Sequence, residues 1–390
     1  MARRGLPARA PVTGVDLRGE AAIALLHSLC GPDGIHASAA TSANYRAVFA
    51  RDGVMAGIAG LLTGDAVVTA GLVRTLERLR DLQGPQGQVA SNFDMQGAAP
   101  RVSFGTLAPR LDAATWYLVG VGLAVKAGAI DAAPFRDSAE RVITLLDGIE
   151  YNGRHLLYVP AGGNWADEYV YEGYILYDQV LRAWGLRLAA QAFEESRWGA
   201  KASLVSRAIE DHFWPAAPAG RGHPLASFSP LGTRDTFDLA ACSLLAVSGV
   251  GGDLGARALA WASRQFLLAG RLPPAFDPVI REGDPDWPAL RAYHLHGFRN
   301  HPHEYHNGGV WPIWLGWLAL GQSQLGLDAD LARLRELVSE ALVRHPGYDF
   351  EEFLHGETGA PGGTPSMAYS ATGLTFLRLA GTRAQARLFA

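Results

Sequence analysis

Apolar positions recur every three to four residues over twelve stretches of the chain, near 18–29, 52–62, 65–82, 111–127, 134–149, 168–196, 200–213, 235–248, 253–267, 309–325, 328–344 and 366–379. That period places them on one face of a helix. Strand-like alternation is scarce, and 155–160, with Leu156, Leu157 and Val159, is its best example. The links between the stretches alternate in length. After the second, fourth, sixth, eighth and tenth they are short, often opening Gly-Asp, Gly-Gly-Asp or Gly-Leu-Asp, which forces antiparallel neighbours. Between those pairs, longer connections run over 83–110, 150–167, 214–234, 268–308 and 345–365. The pattern predicts an all-α fold, six helical hairpins closed into a toroidal (α/α)6 barrel with the long loops at one end. No internal sequence repeat is evident, so the hairpins share a layout and not a motif.

A chain of 390 residues is long for an ordinary domain, yet a closed barrel grows this large around one core. One catalytic domain over 1–390 is expected, with residues 1–15 as a flexible arm. A content of 48% apolar and 18% charged residues fits a compact protein. The net charge of -4 gives no basic face for nucleic acid or an anionic membrane. Arg3, Arg4 and Arg9 have no apolar run behind them, so no signal peptide is read. Cys30 and Cys242 lie far apart among apolar and small residues and are expected to be buried free thiols. Together these favour a reducing, cytoplasmic location. Oligomeric state stays open, a homodimer included.

The long loops hold the chemistry. They are rich in acids, Trp, Tyr, His and Gly, which suits a sugar: flat apolar faces for stacking and a ring of hydroxyls for charged partners. Cleaving a glycosidic bond needs two carboxyls, one protonated and one ionised. The run Ala161-Gly-Gly-Asn-Trp-Ala-Asp-Glu-Tyr-Val-Tyr-Glu-Gly-Tyr174 puts Asp167 at a loop-to-helix junction behind a Gly pair and Trp165. An N-cap is the plain reading of such an Asp. The Gly pair, Trp165 and the aromatic residues that follow favour an acid whose pKa is raised by apolar neighbours, with Glu168 as the fallback. The run Tyr348-Asp-Phe-Glu-Glu-Phe-Leu-His-Gly-Glu-Thr-Gly359 carries four acids beside a Gly-rich stretch. It reads either as a solvated loop or as one pinned by Phe350, Phe353 and Leu354. Of the adjacent Glu351 and Glu352 only one can be the base; Glu352 is preferred, with Glu351 left open.

Three further pieces look like sugar contacts. Asn44-Tyr-Arg-Ala-Val-Phe-Ala-Arg-Asp-Gly53 sets Arg51 and Asp52 at a helix start, able to clamp vicinal hydroxyls or to form a structural ion pair. Asp112 and Trp116 stand one helical turn apart. Tyr305-His-Asn-Gly-Gly-Val-Trp-Pro-Ile-Trp314 opens a helix and offers Tyr305, His306, Asn307 and Trp311 as pocket wall. His294, His296, His301, His303 and His306 invite a metal reading. They lack the His-Glu-x-x-His spacing and are interrupted by Pro302, so hydrogen-bonding roles are favoured and neither metal nor cofactor is expected.

At these residues the chain resembles the six-hairpin glycosidases, in particular neutral/alkaline invertases, the amylo-1,6-glucosidase part of glycogen debranching enzymes, and processing-type α-glucosidases. Arg51-Asp52 is similar to their early Arg-Asp motif. Asn164-Trp-Ala-Asp167 resembles the Trp-x-Asp that carries the general acid in debranching and processing-type members. Tyr305-His-Asn-Gly-Gly-Val-Trp-Pro312 resembles the invertase Tyr-His-Asn-Gly-Gly-x-Trp-Pro run. Glu352-Phe-Leu-His-Gly-Glu-Thr-Gly359, which includes Glu357, is similar to the segment whose first Glu is the base. The likeness runs from about 40 to 378. It departs from invertases at the acid segment, and from debranching enzymes in lacking their extra domains. It implies an inverting glycoside hydrolase without a cofactor, acting on a small saccharide such as sucrose or an α-glucoside, with Asp167 as acid and Glu352 as base. Inversion in turn needs carboxyls roughly 6.5–9.5 Å apart. Two rivals remain: a sugar epimerase using paired histidines, and a carbohydrate-binding protein without activity.

Overall fold

The computed structural model describes residues 18–40, 45–95, 99–106, 108–150, 153–214, 222–292, 294 and 297–390. The arm expected over 1–15, Asn44 and His296 lie outside these. All twelve expected helices are present: α1 Gly19–Leu29, α2 Ala50–Thr63, α3 Ala66–Asp81, α4 Asp112–Lys126, α5 Arg136–Ile149, α6 Leu176–Ala192, α7 Ser196–Phe213, α8 Leu239–Ser248, α9 Leu254–Ala262, α10 Pro312–Gln324, α11 Asp328–Arg344 and α12 Ala368–Leu379.

They fall into two kinds. The even-numbered helices are buried nearly all round; α8 buries every residue, and α10 every residue from Pro312 to Gln322. The odd-numbered ones bury a stripe, as α5 does with Ser138, Ala139, Val142, Ile143 and Leu146. A helix apolar on all faces belongs inside and an amphipathic one outside. Accordingly α2, α4, α6, α8, α10 and α12 pack side by side in order, and α12 returns to α2, closing an inner ring. Helices α3, α5, α7, α9 and α11 each back onto the inner helix before them, and α1 backs onto α12. The sixth pair is thus made by the two ends of the chain. Where α10 meets α12 the backbones touch: a Cβ on Gly373 would lie 2.1 Å from the Pro312 carbonyl oxygen.

The long loops are laced together by short antiparallel ladders just ahead of the inner helices. Val48–Phe49 pairs with Asn92–Asp94, and Phe237–Asp238 with Phe276–Asp277. Tyr174–Ile175 pairs with Ser227–Ser229, and Phe353–Leu354 with Pro361–Gly362. These ladders gather the loops over the N-terminal ends of the inner ring.

Three expectations are corrected. Residues 155–160 form no strand, only a single bridge from Val159 to Gly173. The helix expected over 168–196 begins at Leu176, because Tyr169 and Tyr171 are drawn onto Phe276, at ring distances of 4.1 and 5.3 Å. Both cysteines are free and Cys242 is buried, but Cys30 is only half-buried. Short helices at Trp287–Ala292 and Arg383–Phe389 were not expected. No helix among the described residues is long and apolar enough to cross a membrane.

Candidate active site

A cavity of about 290 Å³ opens among the long loops, near the lower end of small-molecule sites, which span ~300–1,000 Å³. The first turn of α2 supplies Arg51 and Asp52, α12 supplies Tyr369, and Trp311 stands immediately before α10. Arg51 donates from Nη1 to Asp112 Oδ2 at 2.8 Å, and its guanidinium lies 5.7 Å from the Tyr369 ring centre. Burial pushes the Asp52 carboxyl up to about 6 against the pull of Arg51. Asp52 Oδ2, Arg51 Nε, Trp165 Nε1 and Tyr369 Oη are buried without a protein hydrogen-bond partner. Arg51 Nε and Asp52 Oδ2 still face each other as an ion pair at 3.7 Å; an unsatisfied buried polar group costs roughly 1–3 kcal/mol, so the cavity has a polar wall that suits a ligand rich in hydroxyls.

Asp167 sits in a turn nine residues ahead of α6, not at a helix start. Asn164 braces that turn, donating to Asp178 Oδ2 at 2.8 Å and accepting from the Ala166 N–H at 3.1 Å. Trp165 is held by Phe276 at 5.6 Å, Trp311 at 5.6 Å and Trp314 at 5.0 Å. The decisive neighbour is Arg110, whose Nη2 donates to Asp167 Oδ2 at 2.5 Å and whose Nη1 donates to the Asn164 carbonyl at 2.8 Å. Burial favours the protonated form of Asp167, but Arg110, with smaller help from His306 and Arg51, outweighs it and holds the carboxyl below its ordinary value. The raised pKa expected from Trp165 is therefore overturned: a facing cation outweighs apolar surroundings.

Glu352 is set differently. Tyr45 Oη donates to its Oε1 at 2.8 Å and the Thr364 N–H to its Oε2 at 2.9 Å. Burial raises its pKa, and these two donors with Arg299 offset the rise only in part. A Cβ on Gly363 would lie 2.5 Å from Glu352 Oε2; with its φ of 82° as well, the position calls for glycine. Glu351 is not among the lining residues; its Oε2 accepts the Asp349 N–H at 2.8 Å.

Of the residues singled out from sequence, Arg51, Asp52, Trp165, Asp167, Glu168, Tyr305, Trp311 and Glu352 line this cavity. Five do not. Asp112 is buried and serves as the counter-charge that holds Arg51. Trp116 belongs to the barrel core, donating to Tyr177 Oη at 2.8 Å and packing on Trp317 at 5.7 Å. Asn307 is a strut: it accepts from the Ile280 N–H and donates to the Ile280 and Asn300 carbonyls. Fully buried His306 stacks against Trp311 at 5.5 Å, and burial lowers its pKa to about 3. Glu357 is exposed and reaches His303 at 3.2 Å. The histidines disperse: His303 faces Arg281 and His355, while His294 and His301 pack on Phe298. Among the described residues no group of three or more His, Cys, Asp or Glu is placed to hold a metal ion.

Of the lining residues that escaped the sequence, three bear most on the charged groups of the site. Arg299 pairs with Glu168 at 2.9 Å and lies 3.9 Å over the Tyr305 ring; in sequence it hides within the histidine-rich loop. Arg110 directly precedes the Leu111-Asp112 run, and Tyr45 sits six residues ahead of Arg51. Proximity to recognised motifs was the available signal for the last two.

No protein-family model matches the chain, and no curated protein matches it in sequence. Solved structures do match. A GH63 mannosylglycerate hydrolase from Thermus thermophilus superimposes with a TM-score of 0.62 at 14% identity, over 91% of this chain and 98% of that one. A rhamnosidase from Klebsiella oxytoca with rhamnose bound gives 0.65 at 13%, over 94% of this chain and 64% of that one. A glycosidase variant, glutamate replaced by alanine, in complex with glucose gives 0.64 at 14%, over 94% and 95%. At such identities the likeness establishes the architecture: the chain is an (α/α)6 barrel like these proteins.

Proposed function

We propose that this chain is a glycoside hydrolase that cleaves a small α-glucoside or sucrose-type substrate with inversion, Asp167 acting as general acid and Glu352 as general base. The observation that carries the reading is the meeting of these two carboxyls, from loops 185 positions apart by number, in one cavity rich in unsatisfied polar groups. Three fold neighbours described as a mannosylglycerate hydrolase, a rhamnosidase and a glucose-bound glycosidase support it, as does the motif likeness to invertases and debranching-type glucosidases. The cavity volume suits one sugar ring and a compact leaving group.

In this mechanism Glu352 takes a proton from a water, whose oxygen attacks the anomeric carbon. The bond to the glycosidic oxygen breaks, and Asp167 delivers a proton to that oxygen as it leaves. Tyr45 and the Thr364 N–H fix the two oxygens of the base. Arg51, Asp52 and Tyr369 meet hydroxyls of the ring, and Trp165 and Trp311 its apolar surface. An epimerase working through paired histidines is disfavoured, because no histidine is among the described residues lining the cavity.

Purified protein is to be screened against sucrose, trehalose, isomaltose, maltose and glucosylglycerate, with the anomer of the first-formed product read by NMR. Release of the opposite anomer is expected. Retention would make Glu352 a nucleophile; binding without turnover by any of the five would sink the hydrolase reading. Asp167→Asn is expected to lose about 10²–10⁴-fold in kcat on a natural sugar leaving group.

A further inference from the structure

The proposed mechanism asks Asp167 to arrive at the reaction carrying a proton, yet that carboxyl is held by a guanidinium. The hold is built in. Leu111 N–H donates to the Gly163 carbonyl at 2.8 Å, the Arg110 N–H to the Phe104 carbonyl at 2.9 Å, and Arg110 Nη1 to the Asn164 carbonyl. The loop ending at Arg110 and the turn carrying Asp167 are therefore locked in register, with Arg110 only 13% exposed. The other groups that act electrically on Asp167 are Arg51, His306, Glu352 and Tyr305. Arg51 is committed to Asp112, and burial keeps His306 uncharged. Among the described residues, Arg110 is the one that makes direct contact with the carboxyl oxygens. Beside it the cavity wall continues through Ser91, Asn92, Gly105 and Thr106, a polar surface that the sugar-ring contacts leave unused.

We propose that Arg110 is a positioning residue for the general acid: its guanidinium holds Asp167, and the leaving-group half of a substrate, seated against Ser91, Asn92 and Thr106, must take over that guanidinium before Asp167 holds a transferable proton. This rests on the hydrolase reading for its purpose, but not for its test. Once an acceptor on the leaving group shares Arg110, the opposing charge on Asp167 weakens. Burial, which favours the neutral carboxyl, then prevails. The acid is thereby readied only when the bond to be cleaved is in place.

Full-length protein labelled with 13C at the aspartate carboxyls reports this directly, the Asp167 resonance being assigned by its loss in Asp167→Asn. In the wild type it should titrate below the ordinary aspartate value of about 3.9. In Arg110→Gln its midpoint should climb above that value. An unchanged midpoint in folded Arg110→Gln overturns the proposal. A second reading needs no change at Arg110. In Glu352→Gln protein, D-glucose alone should leave the resonance in place, whereas bound sucrose or isomaltose should move it upward; a bound disaccharide that leaves it unmoved also overturns the proposal. Neither titration requires turnover, so an inactive protein that passes both sinks the hydrolase reading and spares this one. Kinetics add a readout that a merely structural role would not move. The acidic limb of the kcat/KM profile, set in the free enzyme by the lower of the two carboxyl pKa values, should shift to higher pH in Arg110→Gln, beyond any uniform loss of rate.

Discussion

The two carboxyls of the cavity are both largely shielded from solvent, Glu352 more so than Asp167, and are poised in opposite directions. Asp167 faces a guanidinium and is held below its ordinary pKa; Glu352 faces a phenol and a backbone N–H and is held above its own. Burial pushes both upward, but only Asp167 has a cation in direct contact with its oxygens, and that contact reverses the sign. A neutral donor stabilises the ionised form modestly, while a cation in direct contact outweighs desolvation. In the resting cavity this orders the pair against the direction the reaction needs, since the base is the harder of the two to ionise. The substrate therefore has work to do beyond being bound.

The largest effect is expected at the base. Glu352→Gln keeps size and shape but cannot take a proton, and kcat should fall about 10²–10⁴-fold on the substrate found by the screen. A fall of less than tenfold would remove Glu352 from the chemistry. Next comes its neutral partner. Tyr45→Phe deletes one hydrogen bond to a group that must ionise. Such bonds contribute roughly 1.5–3 kcal/mol, so kcat should drop about 10- to 100-fold with KM little changed. A matching rise in KM alone would recast Tyr45 as a sugar contact.

The opposite poise also has opposite consequences for stability. A carboxyl with a lowered folded pKa contributes stability above its unfolded pKa and loses it as pH falls through the folded value. Asp167→Asn should therefore lower the melting temperature at pH 7. A carboxyl with a raised folded pKa contributes stability only at low pH, and the contribution is lost as pH rises through that raised value. Glu352→Gln should then raise the melting temperature at pH 7. The gain should disappear near pH 4.5. Melts at the two pH values test the comparison without any substrate, and equal signs for the two variants would end it.

How far the sequence spoke follows from the range over which each signal acts. The twelve helices and their hairpin pairing were legible because periodicity and link length are local signals; that α10 is buried all round while α5 buries one stripe was not read from them, because it depends on packing. Asp167 and Glu352 stood out through their Gly and aromatic neighbours. Their relative poise did not, because it depends on Arg110 and Tyr45, which lie 57 and 307 positions away. In an arginine-rich chain nothing local marks Arg299 from the rest, and Arg110 is marked only by its place before the Leu111-Asp112 run. The motif around Asn307 misled for a related reason: a run of residues that builds a site contains struts as well as contacts, and only packing separates them.

The smallest expected effect is the one that isolates the base from its surroundings. Glu351 and Glu352 are neighbours in sequence and share a charge, and only the path of the loop separates them. A positive φ at Phe350 and the short Phe353–Leu354 ladder fix the chain on either side of them, and successive side chains of an extended segment point apart. Glu352 thus enters the cavity, while Glu351 accepts from the Asp349 N–H and lies in a wetter position. Glu351→Gln removes the same charge one position away and keeps an acceptor for that N–H. Its kcat should stay within about twofold of wild type, and its stability within the roughly ±0.5 kcal/mol typical of changes outside the core. Long-range charge at such a separation is too weak to mimic a lost base. If Glu351→Gln instead fell as far as Glu352→Gln, the loop would have to turn over in the working enzyme, and the contrast between a cation-held acid and a phenol-held base would have been drawn between the wrong pair.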